Sequence, residues 1–284
     1  MLGKALITAA AGNVAVADDG SWPDVSTASF IRFDTVNASG DVRGLFFKPD
    51  GTKVYTCDAL DRIRETTLST AWDISTHGSI DYTFTTDQTH NNNPSGLFFK
   101  DDGTEMYTIQ ISGDFVVQYS LSTGWDLSTA SYTRKFSTVS GSANEYNPRG
   151  VCFSSDGENM YVIGLGRDTI TRFTLSTAWD ISTASYDSEG SSMVASPINE
   201  SAPLGVFMKP DGTRFYVVGN LYDKVYQWNP TTAYSVSDVG PTVDDSFSVT
   251  SQETSPWSVY ISPDGDYMYV GGGASNGIDQ YSLG

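Results

Sequence analysis

Three observations in the sequence predict an all-β fold, a five-bladed β-propeller with four antiparallel strands in each blade. A Trp-centred segment, Leu-Ser-Thr-Ala-Trp-Asp-Ile-Ser-Thr, recurs in near-identical form around Trp72, Trp125 and Trp179. A second turn, typified by Lys-Pro-Asp-Gly-Thr, recurs five times. Strand-like runs flank each copy of that turn, and four short strands in a repeat of about 50 residues are typical of propeller blades.

The Asp-Gly turns define the length of the repeat. They centre on Asp50-Gly51, Asp102-Gly103, Asp156-Gly157, Asp211-Gly212 and Asp264-Gly265. Asp hydrogen-bonds its own backbone, and Gly adopts the positive φ that closes a hairpin of this kind. The aspartates lie 52, 54, 55 and 53 residues apart. Five units of this length account for the chain after a short N-terminal tail.

The two ends of the chain predict how the ring closes. The last unit stops at Gly284, where the other units enter the Trp segment. Residues 21–33, which include Trp22, read like the missing piece with one inserted Pro. We therefore expect an N-terminal strand to complete the C-terminal blade, which removes two sheet edges. This organisation predicts a propeller over residues 21–284 and a separate N-terminal tail over residues 1–20.

The faithful Trp segment favours a structural role over a ligand site. Trp179 and Ile181 are spaced to pack beneath a bend, and the Ser and Thr hydroxyls can cap nearby backbone groups. Exposed Trp residues could instead bind sugars, but these copies fall between the third and fourth strands, on the outer part of the lower face. Asp73, Asp126 and Asp180 are interpreted as turn formers for the same reason.

Composition and charge exclude several classes of partner. The chain has 16 basic and 34 acidic residues, a net charge of −18, which repels phosphate backbones and excludes nucleic acid as an expected partner. No apolar run reaches the roughly 20 residues of a membrane span. Cys57 and Cys152 fall on non-adjacent units, so two buried free thiols are expected rather than a disulfide.

The candidate ligand site lies on the face where two sets of loops converge. Approach loops lead into the innermost strand of each blade, and crown loops join its second and third strands. Candidate ligand-binding residues in these loops are Arg43, Asn93, Glu145, Tyr146, Asn147, Arg149, Glu200, Tyr222, Asp223, Glu253 and Trp257. Their alternative role is to cap the loops.

This mixture of carboxylates, amides and aromatic rings could bind a glycan, or a hard cation such as calcium through oxygen ligands. No loop shows the dense alternation of acids that a dedicated calcium site requires. The prediction is therefore no metal and no cofactor, with calcium as the less favoured option.

Catalytic residues are sparse in this sequence. His77 lies beside the first Trp segment, on the opposite face, and His90 lies in a single approach loop. No Ser or Cys nucleophile in a recognisable elbow accompanies them. Glu145 and Glu200 could face each other as in glycosidases, but five acid-bearing loops make such a pairing a coincidence. These patterns predict a protein that is not an enzyme.

The repeats themselves resemble known propellers. Pro210-Asp211-Gly212 followed by Phe215-Tyr216-Val217, and the matching run from Pro263 to Val270, resemble the blades of lactonase-type and surface-layer propellers. The resemblance covers the whole repeated region and implies the fold. Lactonases of this type carry metal ligands or His and Arg on their mouth loops, and those ligands do not match positions here, so the resemblance implies no activity.

The N-terminal tail carries a second resemblance. Residues 3–13 look like the opening of virion proteins from marine tailed bacteriophages, in which a short peptide precedes a repetitive β domain. The resemblance implies a docking peptide that binds other virion proteins, and a propeller displayed in multiple copies. The implied docking residues are Leu2, Lys4, Leu6, Ile7 and Asn13.

Together these features predict a non-enzymatic recognition or attachment protein on the surface of a bacteriophage virion, on the tail or the capsid exterior. A host surface glycan is its expected ligand. The first alternative is a secreted, extracellular carbohydrate-binding propeller of the lectin kind. The second alternative is a lactonase- or glycosidase-like hydrolase.

Overall fold

Five four-stranded antiparallel sheets make up the fold, as the repeats predict. The computed structural model describes residues 22–36, 40–86, 89 and 92–284. The prediction of an all-β, five-bladed propeller is confirmed. The predicted tail, residues 1–20, lies outside the described residues. Within the described ranges, no helix has both the length and the apolar character needed to cross a membrane.

The strands follow the order of the chain. Strand β1 (Ser29–Asp34) comes first and belongs to blade 5. Blade 1 contains β2 (Gly44–Phe47), β3 (Lys53–Asp58), β4 (Arg62–Leu68) and β5 (His77–Thr85). Blade 2 contains β6 (Pro94–Phe99), β7 (Glu105–Gln110), β8 (Phe115–Leu121) and β9 (Ala130–Ser137). Blade 3 contains β10 (Pro148–Phe153), β11 (Asn159–Gly164), β12 (Ile170–Leu175) and β13 (Ala184–Glu189).

The remaining blades are built in the same way. Blade 4 contains β14 (Pro203–Met208), β15 (Phe215–Gly219), β16 (Lys224–Trp228) and β17 (Asp245–Ser248). Blade 5 contains β18 (Pro256–Ile261), β19 (Tyr267–Gly272), β20 (Ile278–Ser282) and β1. Short 3-10 helices lie at Val25–Thr27, Ile74–Thr76, Ile111–Gly113, Leu127–Thr129 and Ile181–Thr183.

Strand β1 closes the ring. It pairs antiparallel with β20, from Ser29 opposite Ser282 to Asp34 opposite Ile278. The N-terminal strand therefore supplies the outer strand of the C-terminal blade, as the split repeat predicts. Because each end of the chain contributes strands to the same sheet, the first and last blades cannot separate without breaking that sheet.

The Trp segments pack against the Asp-Gly turns. A Cβ atom on Gly51, where φ is +72°, would lie 2.4 Å from the ring of Trp72, so only glycine fits beneath it. The equivalent pairs are Gly103 with Trp125, Gly157 with Trp179, Gly212 with Tyr234, and Gly265 with Trp22. This packing agrees with the structural role predicted for the Trp segment. In blade 5 the aromatic ring is that of Trp22, from the part of the segment near the N-terminus.

The same segment joins neighbouring blades. Tyr55 of blade 1 donates a hydrogen bond of 2.7 Å to the backbone carbonyl of Trp125 in blade 2. Equivalent bonds run from Tyr107 to Trp179 and from Tyr269 to Trp72. These bonds cross from one blade to the next, so the repeated segment holds the ring together.

The aspartates of the Trp segments act as turn formers, as predicted. Asp73 accepts a hydrogen bond of 3.0 Å from the backbone N–H of Ser75, which caps the short helix that follows. The equivalent bonds join Asp126 to Ser128 and Asp180 to Ser182.

Small residues at the centre set how closely the blades approach. The innermost strands carry Gly44, Gly96, Gly150, Gly205 and Ser258 at equivalent positions. A Cβ atom on Gly96 would lie 2.8 Å from the carbonyl oxygen of Arg149 in the next blade. The pocket that these residues line at the centre of the ring is therefore only about 20 Å³ in volume, room for a single water molecule. A larger ligand can be held only at the ends of the channel.

Both cysteines are buried and free, in agreement with the sequence-based expectation. Cys57 lies on β3 and Cys152 on β10, in different blades. Burial raises the pKa of both thiols, which keeps them protonated and unreactive.

A buried carboxyl on β20 makes stability depend on pH. Asp279 is 1% exposed, and burial together with the charge of Glu253 raises its pKa to about 7. The unfolded chain releases this proton at about pH 4, so between about pH 4 and 7 folding requires proton uptake. The contribution of Asp279 to the free energy of unfolding therefore decreases as pH rises through that window.

Replacing Asp279 by Asn removes this dependence, because the amide cannot ionise. We expect the melting temperature of Asp279→Asn, relative to the native protein, to be higher at about pH 8 than at about pH 5. Thermal unfolding followed by circular dichroism at both pH values measures the difference. Glu158→Gln, at an exposed position, serves as the control. A difference between Asp279→Asn and the native protein that is the same at both pH values contradicts the expectation.

Candidate functional site

One residue in each blade lies at the start of the innermost strand, at one end of the central channel. These residues immediately precede the small channel residue, and in blades 3, 4 and 5 the strand register shifts at this point, as in a β-bulge. Such a bulge changes the direction of the side chain. The five residues are Arg43, Ser95, Arg149, Leu204 and Trp257. Ser95 and Leu204 are buried, which leaves two arginines and one tryptophan accessible at the mouth.

Arg43 links three blades at this point. Its guanidinium carbon lies 4.6 Å from the centroid of the Trp257 ring, within the range of a cation–π interaction. Its Nη2 and Nε donate to Oδ2 of Asp41 at 3.1 and 3.3 Å. Its Nη1 donates to Oδ1 of Asn93, from the approach loop of blade 2. These contacts hold the Arg43 side chain in a single orientation.

Arg149 approaches the same ring from blade 3. Its guanidinium carbon lies 5.6 Å from the Trp257 centroid. Its side chain donates no hydrogen bond to any of the described residues, and its Nε is buried without a partner. Burial, and then the charge of Arg43, lowers the pKa of Arg149. An arginine without an acceptor, held near a second arginine, favours an anionic ligand.

We refer to Asp41, Arg43, Asn93, Arg149 and Trp257 as the mouth site. Its guanidinium groups can each bind a carboxylate, a phosphate or a developing oxyanion. The indole offers a flat apolar surface for the face of a ring. The side chain of Asp41 is 34% exposed and can accept a proton from a bound water. The site therefore brings together guanidinium donors, a flat aromatic ring and a partly exposed carboxylate.

The three glutamates expected at the mouth lie beneath the loops instead. Glu145, Glu200 and Glu253 are each 0% exposed. Oε1 of Glu253 accepts hydrogen bonds of 2.7 Å from the N–H of Ser255 and 3.0 Å from the N–H of Ala274. These bonds satisfy backbone N–H groups of an approach loop and a crown loop together. The carboxylates thus hold the loops in place and cannot contact a ligand at the mouth.

The glycosidase-like pairing of Glu145 with Glu200 fails for the same reason. Oε1 of Glu145 accepts a hydrogen bond of 3.1 Å from the N–H of Gly166, and Glu200 accepts one of 2.8 Å from the N–H of Ala202. Burial raises the pKa of Glu145 to about 8. Neither side chain reaches solvent.

The other predicted residues divide between the rim and a separate cavity. Tyr146 is 55% exposed on the rim, and its neighbour Asn147 is held by a hydrogen bond of 2.7 Å from its N–H to Oδ1 of Asp114. Tyr222, which is 46% exposed, lines a cavity in blade 4 that shares no residue with the mouth site. Asp223 precedes β16 beside that cavity; burial, and then the charge of Glu253, raises its pKa.

The remaining residues singled out from the sequence lie on an outer strand or outside the described residues. His77 lies on β5, where its Nε2 is 2.9 Å from Oδ1 of Asp34. His90 and the docking residues Leu2, Lys4, Leu6, Ile7 and Asn13 lie outside the described residues. Among the residues that the structure describes, no group of three or more His, Cys, Asp or Glu side chains could hold a metal ion.

Sequence reasoning missed Asp41 as a member of the site. It lies two residues before Arg43, and alternate residues of an extended segment share one side. That spacing is the signal that pairs it with Arg43. Lys224 and Tyr226, which line the blade 4 cavity, gave no sequence signal, because the cavity depends on a loop folded over two strands.

Comparison with known proteins gives a family match over nearly the whole chain. The family model described as "Lactonase, 7-bladed beta-propeller" matches residues 24–284. The family name counts seven blades, whereas the residues described here form five. No curated protein matches the chain.

Several solved structures are similar to part of the chain at low sequence identity. A protein of Bacteroides uniformis, provisionally assigned as a 6-phosphogluconolactonase, is 18% identical with a TM-score of 0.46, over 82% of this chain and 64% of that one. The periplasmic gluconolactonase PpgL of Pseudomonas aeruginosa is 15% identical with a TM-score of 0.47, over 74% and 55%. A protein of Lactobacillus plantarum is 14% identical with a TM-score of 0.48, over 78% and 56%. The chain thus spans less than two thirds of each of these structures.

Proposed function

The chain belongs to the family described as lactonase, 7-bladed beta-propeller, and from this premise we propose that it hydrolyses lactones at the mouth site. The observation that supports the location is the placement of Arg43 and Arg149 on one indole ring, with Arg149 lacking a hydrogen-bond acceptor among the described residues. The same cluster adds the indole ring of Trp257 and the partly exposed carboxylate of Asp41.

Family membership corrects three expectations drawn from the sequence. The expected function as a virion recognition protein, the expected absence of enzymatic activity and the expected location on a virion surface are all wrong, because the match to a lactonase family covers residues 24–284. The phage resemblance depended on about a dozen small residues in the tail, a pattern that small side chains produce by chance. The surface-layer resemblance has no support either.

Substrate binding uses the indole and the arginines. The lactone ring packs on Trp257, because sugar-like rings present apolar C–H groups on their faces. Arg149 donates to the substrate, since its N–H groups have no acceptor among the described residues. Arg43 is already held by Asp41 and Asn93, so it contributes charge and position more than new hydrogen bonds.

Hydrolysis then requires a base and an oxyanion partner. Asp41 takes a proton from a water whose oxygen bonds to the lactone carbonyl carbon, and the carbonyl oxygen becomes an oxyanion beside Arg149. Collapse of this intermediate breaks the ring C–O bond, and the leaving alkoxide recovers the proton from Asp41. The product is the open-chain hydroxy acid, whose carboxylate remains near both guanidinium groups.

The charge of the site suggests the class of lactone. Two guanidinium groups against the single carboxylate of Asp41 leave the mouth site with one excess positive charge, which favours a substrate that carries its own anionic group. We therefore propose sugar-derived lactones with a free carboxylate or phosphate as better substrates than neutral lactones of the same ring size.

Acid release in a pH-stat tests this function. Each lactone ring opened releases one proton at neutral pH, so the rate of base addition gives turnover directly. With a panel of aldonic and aldaric acid lactones, we expect release well above the spontaneous rate and saturation with substrate concentration. Binding of the lactones without any acid release above the spontaneous rate would show a binding protein and contradict hydrolysis.

A further inference from the structure

Blade 4 departs from the repeat more than any other blade. Tyr234 stands where the other blades place Trp, and β17 is only four residues long. Its approach loop, residues 190–202, is the longest of the five. In the other blades the Trp segment packs against the Asp-Gly turn, and in blade 4 Tyr234 packs there instead. These departures therefore change the surface of blade 4, while the ring of blades remains closed.

The departures coincide with a cavity. It has a volume of about 330 Å³ and lies between the long approach loop and strands β16 and β17. This volume is within the range of sites that hold small organic molecules, about 300–1,000 Å³. None of its lining residues belongs to the mouth site.

The walls of the cavity favour a flat apolar body. Ile198 and Val243 are half-buried on its sides, and the ring of Tyr222 is 46% exposed. Tyr226 also lines it, and its hydroxyl lies 3.2 Å from Oε2 of Glu200. Because that hydroxyl donates to the buried carboxylate, Tyr226 presents its ring rather than a free donor.

A single cation lies among these apolar groups. Lys224 lines the cavity, is half-buried, and forms no ion pair with any other residue in the described ranges. The chain has 34 acidic and only 16 basic residues, so a lysine without a carboxylate partner is unexpected here. A partly desolvated ammonium without a counter-charge favours an anionic ligand group.

We propose that the blade 4 cavity binds a small organic carboxylate with one ring-sized apolar body. The carboxylate pairs with Lys224, and the body packs between Tyr222, Ile198 and Val243. This second site is independent of lactone hydrolysis, since it shares no residue with the mouth site.

Calorimetric titration with benzoate tests the second site. The titration uses the Arg43→Ala/Arg149→Ala double variant, so that neither guanidinium of the mouth site competes for the anion. We expect saturable binding at one site in the millimolar range or tighter. Lys224→Met, which keeps the length of the side chain and removes its charge, should weaken binding at least about tenfold, whereas Lys224→Arg should retain it.

Lys135→Met is the matched control, because the Lys135 ammonium lies 4.3 Å from the centroid of the Phe115 ring, outside the cavity. It should leave benzoate affinity unchanged. Benzyl alcohol, which has the same ring without the charge, should bind at least about tenfold more weakly than benzoate. Equal affinity for the two probes, unchanged affinity in Lys224→Met, or no benzoate binding at millimolar concentration overturns the proposal.

Discussion

Replacing Arg149 by Ala is expected to lower kcat/KM for lactone hydrolysis by about 100-fold or more, the effect of removing an oxyanion partner from a preorganised site. The loss should appear mainly in kcat, because the interaction is strongest when the carbonyl oxygen becomes an oxyanion. Arg149→Lys should recover only part of the rate, since an ammonium cannot reproduce the two-pronged geometry of a guanidinium. Acid release measured across substrate concentrations separates kcat from KM.

Arg167→Ala provides the matched control for this experiment. Arg167 lies in the crown loop of the same blade, but its guanidinium pairs with Glu189 rather than facing the mouth. The variant removes the same charge from the same blade, so it should retain nearly native kcat/KM. If the two variants lose activity equally, the charge of the protein surface, and not Arg149 itself, supports the reaction.

A large loss of stability is expected from a substitution at Gly96. Its φ is +58°, and a Cβ atom there would lie 2.8 Å from the carbonyl oxygen of Arg149 and 3.0 Å from Cα of Gly150, both in the next blade. Gly96→Ala therefore adds backbone strain of about 1–3 kcal/mol and overpacking of about 1–3 kcal/mol to the free energy of the folded state. The urea midpoint of unfolding should fall accordingly.

Gly141→Ala separates these two effects. Gly141 has nearly the same φ, +63°, but a Cβ atom there would meet nothing within 4 Å. Its variant should lose only the stability that corresponds to backbone strain. An equal fall of the urea midpoint in both variants would mean that the close approach between blades at Gly96 does not limit the ring.

The fold could be predicted because its determinants are local and repeated. An Asp-Gly turn specifies a hairpin in any context, and a Trp spaced to cover that turn recurs at each blade. Ring closure could also be predicted, since the residues around Trp22 resemble the part of the repeat that the last unit lacks. Each of these signals lies within a few residues of the structure that it specifies.

The site could be predicted only in part, because exposure depends on packing between loops. Arg43, Arg149 and Trp257 were expected at the mouth from their positions just before the innermost strands. Glu145 and Glu253 occupy similar loops, yet each turns inward to accept backbone N–H groups. A loop glutamate that caps a backbone and one that faces solvent look the same in a single sequence.

The central claim is that the mouth site, with its two arginines, binds and hydrolyses an anionic lactone. A comparison of two lactones in one assay tests this claim most directly. The measurement is kcat/KM for an aldaric acid monolactone, which carries a free carboxylate, against an aldonic acid lactone of the same ring size. We expect both to be hydrolysed, with at least about a tenfold preference for the carboxylated lactone, equivalent to one charge-assisted hydrogen bond. Equal values for the two lactones, or no turnover of either above the spontaneous rate, would contradict this claim.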